Sequence, residues 1–517
     1  MARTRGAVAA GHALTADAAE QILHDGGNAF DAVIAALAMA CVAEPVLASP
    51  AGGGFLLARP AGARARVYDF FVHTPRVRAK EEDIDFSEVQ ADFGPTTQAF
   101  HIGRGTIATP GVVRGMFDIQ RDLCSRPMSE LVYSAVKAAN EGVRVTEHSA
   151  YVFDIVSAIF KSTEAMRAIF GSTERENELA RTGERLLQPE LADSLEVLAI
   201  EGADLFYRGE MARRIVEDLE SAGQLSADDL EDYAVILREP LAFNYRDADV
   251  LTNPPPSSGG ILAAFGLKLL EHERTLGGEF GSAAHLGLLA RTMSVTATAR
   301  VEAQAASPNA PLEGDVFLDP AWLERYRREI WGNSKALRGT TQISVADEAG
   351  NLASLTVSNG EGSGYVIPGT GIVMNNMLGE EDINPQGFQH WTPDRRMTSM
   401  MAPTAVLWRD GRAAVTGTGG SNRIRSVILQ MLVNLVDFGM PVEDAVNAPR
   451  MHWDDGLLSI EGGFDLERIA RVLDEFPEHH LWEELNLFFG GAHTVATDGR
   501  SFTCAGDPRR GGESRTV

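Results

Sequence analysis

Hydrophobic and polar positions alternate most regularly between residues 341 and 358. Thr341, Ile343 and Val345 are spaced two apart with polar or small neighbours between them, which is strand periodicity. Asp347 to Asn351 carry turn residues, with Gly350 free to take positive φ, and Leu355 and Val357 continue a second strand. The pattern predicts a β-hairpin. Upstream the period lengthens, and residues 13–43 predict two helices. The first has Thr15 as its cap, Ala19, Ile22 and Leu23 as apolar positions, and Gly26-Gly27 as its stop. The second, over 28–43, is apolar nearly all round and is therefore expected to be buried; Pro45 ends it. Gly52-Gly53-Gly54 leads into a strand over 55–58, where close packing of a helix on a sheet is the expected use of the glycines, and another strand ends at Phe71. Further helices are predicted from Thr109-Pro110-Gly111 onward, over 129–140 with Ser129 as cap and Gly142 as stop, and over 176–223. Three prolines at 254–256 and Ser257-Ser258-Gly259-Gly260 release the chain into a helix over about 261–271. Residues 371–376 read as a strand ending in two amides, and 415–424 as strand, glycine pair and helix.

Charge and composition narrow the class. A formal charge of −26 argues against a nucleic-acid or anionic-membrane partner. No run approaches the ~18 apolar residues of a membrane span. The first residues lack the apolar core of a signal peptide, so a cytoplasmic location is expected. Cys41, Cys124 and Cys504 show no metal spacing, and the 12 histidines show no His-x-x-His or His-Glu-x-x-His pattern. Neither a metal nor another cofactor is expected. The triple glycine lacks the Lys-Ser/Thr of a phosphate loop, which removes a nucleotide site.

The hairpin carries the candidate chemistry. Gly339 precedes Thr340 at the strand start, and the Thr340 hydroxyl can attack the Gly339 carbonyl. Cleavage there leaves Thr340 with a free α-amine, whose reference pKa of about 7.7–8.0 lets it accept the proton of its own hydroxyl. Read this way, residues 1–339 form a large piece and 340–517 a small one.

The stretch from Thr340 to Gly350-Asn351 resembles the processing site of the γ-glutamyltranspeptidase family. The family's other marks follow in order: Gly26-Gly27-Asn28-Ala29-Phe30-Asp31-Ala32, Gly52-Gly53-Gly54-Phe55, Pro254-Pro255-Pro256-Ser257-Ser258-Gly259-Gly260, Thr398-Ser399-Met400, Gly417-Thr418-Gly419-Gly420-Ser421, Asn447-Ala448-Pro449-Arg450 and Asp507-Pro508-Arg509. The resemblance implies an α+β fold, the four-layer αββα sandwich of N-terminal-nucleophile hydrolases, formed by two pieces that pair as a heterodimer. It implies Thr340 as nucleophile and Ser358, where relatives have Thr, as the group orienting its amine. It places the oxyanion hole at Gly419 and Gly420, or one residue on at Gly420 and Ser421, because Asn422 is extra and the usual Pro is absent. Thr398 and Ser399 stand where the family binds the substrate carboxylate. Asn376 and Glu380 stand where it holds the α-amine, and Asn359 joins the substrate contacts.

Two departures bear on substrate. Phe71 occupies the position of the Arg that grips the α-carboxylate in relatives, with Arg76 the nearest replacement, and Met377 replaces an amide or acid of the amine site. Losing one buried charge-assisted contact costs on the order of 1.5–3 kcal/mol. The segment over 384–396 is also short for a lid. The expected activity is cleavage of a γ-glutamyl or related small-molecule amide, as in glutathione hydrolases, with the acyl group passed to water or an amine. A cephalosporin-acylase-like amidase for another acyl group is the alternative. An uncleaved binding protein is the alternative of a different class.

Overall fold

The computed structural model describes residues 4–92, 97–271, 273, 276, 278–306, 312, 317–327, 340–384 and 387–517. The predicted hairpin forms as Thr341–Asp347 and Leu352–Ser358, with Thr341 opposite Val357. It lies in the middle of a seven-stranded antiparallel sheet ordered Glu513–Thr516, Gly6–Ala10, Thr341–Asp347, Leu352–Ser358, Gly53–Arg59, Arg66–Phe70, Ile236–Arg238. A second antiparallel sheet has six strands: Phe502–Ala505, Gly491–Thr497, Ala413–Gly419, Thr404–Trp408, Ala248–Thr252, Leu241–Tyr245.

The alternation of the hairpin sorts its side chains between two interfaces. Ile343, Val345, Leu355 and Val357 pack outward beneath the helices Ala13–His24, Ala29–Ala43, Val112–Leu123, Met128–Glu141 and Pro189–Glu201. The polar positions between them face the second sheet rather than water. Gln342 donates to the hydroxyls of Ser344 and Ser354, both at 3.0 Å, and accepts from Thr356 at 2.6 Å. Ser344 reaches the His493 carbonyl at 2.9 Å, and Ser354 reaches the Thr416 carbonyl at 2.8 Å. Every named hydroxyl and amide of this seam is buried, so their mutual satisfaction is what makes the burial tolerable. Ala7, Ala9, Phe55, Leu57 and Val67 flank the seam in one buried apolar cluster with Val250, Val406 and Val415. Helices Gly259–Leu270 and Arg423–Leu432 pack on the far face of the second sheet, and Ala283–Ala306 and Leu466–Glu475 extend the same apolar cluster. The layers therefore run helix, sheet, sheet, helix, as expected.

Several local expectations change. The first helix is capped by His12, whose ring nitrogen accepts the Leu14 N–H; Thr15 lies inside it and donates to Glu44 instead. The next helix is capped by Asn28 in a capping box with Asp31. The glycine block opens the strand itself. A Cβ at Gly52 would stand 2.5 Å from the Ser358 carbonyl, and one at Gly54 would stand 2.6 Å from that of Thr356, so strand backbones, not a helix, require the glycines. Residues 371–376 form no strand, only an isolated bridge of Val373 to Val366. Helix within 176–223 begins only at Pro189, because Pro fits the first helical turn while the preceding residues pair as a short strand at Arg185–Leu186. Gly339 lies outside the described residues.

The C-terminal segment is fixed by buried charge. Arg509 pairs with Glu461 at 2.6 Å and Asp507 at 3.2 Å, and Arg450 pairs with Asp507 at 2.6 Å. Burial alone would push the Asp507 carboxyl up, but Arg450, Arg509 and the Ala492 N–H together hold it down at about 2.

Candidate active site

Thr340 immediately precedes the central strand and is buried. Its carbonyl accepts a hydrogen bond from Arg510 Nη1 at 2.9 Å. A Cβ on residue 419 would lie 1.8 Å from that same carbonyl, so the strand end at Gly419 can approach Thr340 only as glycine. The neighbouring Thr341 hydroxyl donates to Glu44 at 2.7 Å, and Thr15 holds the other oxygen of that carboxylate at 2.7 Å. This ties the strand start to the end of the buried helix Ala29–Ala43. Ser358 closes the return strand, where its hydroxyl accepts the Gly360 N–H at 3.0 Å.

Thr340 and Ser358 line one pocket. Its apolar wall is Phe71, Met377, Ile383, Met400, Met401 and Ile424; Glu380, Ser399 and Ser421 supply the remaining polar groups, and among the described residues no Arg or Lys lines it. Phe71 stacks on Phe55 with ring centroids 5.4 Å apart. Arg76 is turned to Asp232 at 2.6 Å and is not part of the wall, so it does not replace the missing arginine. Arg396 is also spent elsewhere. Its guanidinium donates to the carbonyls of Phe71 and Ala234 and to the Tyr233 hydroxyl.

The proline–serine–glycine block backs the part of the wall formed by residues 399–401. Ser257 donates to the carbonyls of Ser399 and Met401 at 2.9 and 2.8 Å, and the Ser258 N–H reaches the Ser399 carbonyl at 2.7 Å. A Cβ at Gly259 would stand 1.8 Å from the Met400 carbonyl. The block therefore clamps residues 399–401 against the start of the helix Gly259–Leu270. Ser399 faces the pocket, whereas Thr398 donates to the Pro256 carbonyl at 2.8 Å and is not in the wall.

The other expected contacts divide in the same manner. Glu380 is in the wall. Asn376 is not: its amide accepts the Glu361 N–H at 3.0 Å and donates to the His101 carbonyl at 3.2 Å. Asn359 is fully buried outside the wall, and its side-chain amide makes no hydrogen bond among the described residues. Gly420 has φ of 122°, and Ser421, at φ of 50°, turns its hydroxyl to Asp382. The helix Arg423–Leu432 begins after Asn422, and Ile424 in its first turn lines the pocket. Glu44 and Arg510 escaped the sequence reading. Glu44 sits unremarked at a helix end, and Arg510 follows a motif whose preceding arginine is structural.

Comparison with known proteins accords with this geometry. A family model described as Gamma-glutamyltranspeptidase matches residues 15–517. The chain is 31% identical over 488 residues to an Acylase ACY 1 proenzyme of Pseudomonas sp. (strain SE83), covering 91% of this chain and 86% of that protein. It is 30% identical over 491 residues to a Glutathione hydrolase proenzyme of Escherichia coli (strain K12), covering 89% and 83%. The crystal structure of a cephalosporin acylase from Bacillus halodurans shares the fold with a TM-score of 0.83 at 23% identity, over 99% of this chain and 96% of that one. The chain belongs to the gamma-glutamyltranspeptidase family and is an enzyme of the N-terminal-nucleophile hydrolase type.

Proposed function

We propose that the protein cuts itself before Thr340 and then uses that residue to cleave a small-molecule amide, with residues 1–339 and 340–517 remaining together as a heterodimer. The Thr340 amine takes the proton of its own hydroxyl, and the oxygen attacks the substrate carbonyl. The tetrahedral oxyanion is met by backbone N–H groups of the Gly419-Gly420-Ser421 turn. Collapse expels the amine product, which takes the proton back from the Thr340 ammonium, and leaves an ester on Thr340. Water or a second amine then attacks that ester. Ser358, in the same wall, orients the Thr340 amine. Relatives known as proenzymes support the self-cleavage. Intact-mass measurement of purified protein is expected to give a chain beginning Thr-Thr-Gln; a full-length chain alone would refute the reading.

The acyl group is read from one observation: the wall around Thr340 is mostly apolar and, among the described residues, holds no Arg or Lys. That favours an acyl chain without a free α-carboxylate, as an acylase would take. Glu380 in the same wall favours a second reading, a γ-glutamyl group held through its ammonium. Turnover of an uncharged acyl anilide and of a γ-glutamyl anilide separates the two, and the acyl anilide is expected to give the higher kcat/KM. Phe71→Arg restores a partner for the carboxylate. It is expected to raise kcat/KM for the γ-glutamyl anilide roughly ten- to a hundredfold relative to the acyl anilide. An unchanged ratio would show that the carboxylate is bound elsewhere.

A further inference from the structure

Arg510 is built into the fold in an unusual manner. Gly419 and Gly491 are register partners on adjacent strands, and the Arg510 side chain lies where their side chains would be. A Cβ on residue 491 would stand 2.5 Å from Arg510 Cδ, and a Cβ on residue 419 would stand 3.0 Å from Nη1. The paired glycines leave a slot on one face of the second sheet, and at its end the guanidinium meets the Thr340 carbonyl. The neighbouring arginines are neutralised, Arg509 by Glu461 and Asp507, Arg450 by Asp507. Arg510, equally buried, makes no ion pair among the described residues, and its Nε finds no acceptor. Burial pulls its pKa down to about 10. An unpaired buried cation is costly, and an apolar side chain would fill a slot at less expense.

We propose that Arg510 is a positioning residue for the nucleophile, holding the Thr340 backbone through its carbonyl so that the amine and hydroxyl stay aimed at the substrate. This rests on Thr340 being the nucleophile. Once the preceding bond is cut, residue 340 has no upstream chain, and the strand register begins only at Thr341. A free chain end frays at almost no cost. A carbonyl pinned by a rigid guanidinium fixes the one remaining backbone torsion of that residue, and with it the direction of both reacting groups. The planar fork makes arginine better suited than lysine to this task.

The test compares kcat and KM of the processed enzyme with those of R510M, R510K and R510A on the acyl anilide. R510M is expected to lose about a hundredfold in kcat, the scale of a displaced reacting group, with KM nearly unchanged. R510K is expected to recover part of the loss. A cavity lined by His12, Glu44, His148 and Arg510 borders the slot. Guanidinium ion at sub-denaturing concentration is therefore expected to restore activity to R510A, but not to R510M, whose side chain fills the space. Wild-type kcat in R510M, a loss carried by KM, or no gain of R510A from guanidinium would each overturn the proposal. Should the Arg510 variants not fold, Gly491→Ala displaces the arginine stem and decides the matter. A lowered kcat at constant KM supports the role, and wild-type kcat refutes it. Turnover by a Thr340→Ala protein would remove the nucleophile instead, so the two failures are distinct.

Discussion

Thr340→Ala should leave the protein as one full-length polypeptide and abolish amide turnover, by about 10⁴-fold or more if the oxyanion turn retains some effect. The substitution removes the hydroxyl proposed to attack both Gly339 and the substrate, while the backbone keeps its place beside Gly419. The fold should survive, because the sheet contacts of the hairpin begin at Thr341. Thr340→Ser is the informative companion: it retains a hydroxyl and an amine and should still self-cleave. Denaturing electrophoresis reads the first effect and an anilide assay the second. Two fragments from Thr340→Ala, or residual turnover near that of the unaltered protein, would show that another group does the chemistry.

Asp507→Ala should be the most destabilising single change outside the pocket. Asp507 is fully buried, accepts the Ala492 N–H at 2.8 Å and neutralises both Arg450 and Arg509. Removing one partner strands buried positive charge, which costs about 3–5 kcal/mol. The urea midpoint of the folded protein measures it, and a shift within error would mean that the arginines find other partners. The same carboxylate sets an acid limit. Its folded pKa, about 2, lies below the ordinary aspartate value, so its contribution is fully present above pH ~4 and is lost as the pH falls toward 2. Asp507→Ala should flatten stability against pH in that window, since the group that titrates there is gone.

The sequence disclosed the hairpin because period-two alternation and turn residues are local signals, and residues 341–358 carry both. It did not disclose which face of the hairpin meets what. Gln342, Ser344, Ser354 and Thr356 are polar positions of the alternation, yet they fill the space between two sheets and satisfy one another there. The strand Gly6–Ala10 was missed for the opposite reason. Buried on both faces, it has no alternation, and Gly-Ala-Val-Ala-Ala is a weak strand former. Of the expected substrate contacts, Phe71, Ser399 and Glu380 line the pocket beside Thr340. Thr398, Asn376 and Asn359 stand behind it, because hydroxyls and amides in tight loops are readily taken by nearby backbone groups or enclosed by the loop itself. Arg510 was out of reach of any motif, since its role depends on two glycines that become neighbours only through strand pairing.

The strand order of the larger sheet has a final consequence. Gly6–Ala10 lies between Thr341–Asp347 and Glu513–Thr516, so a strand from before the scission point is zipped on both edges to strands from after it. Two polypeptides interleaved like this cannot part as intact subunits. Separating them means unravelling the middle of the sheet, so dissociation and denaturation become a single event. The proposed scission would therefore release a chemical group without releasing a fragment, and mixing independently produced halves would require both to fold together rather than to dock.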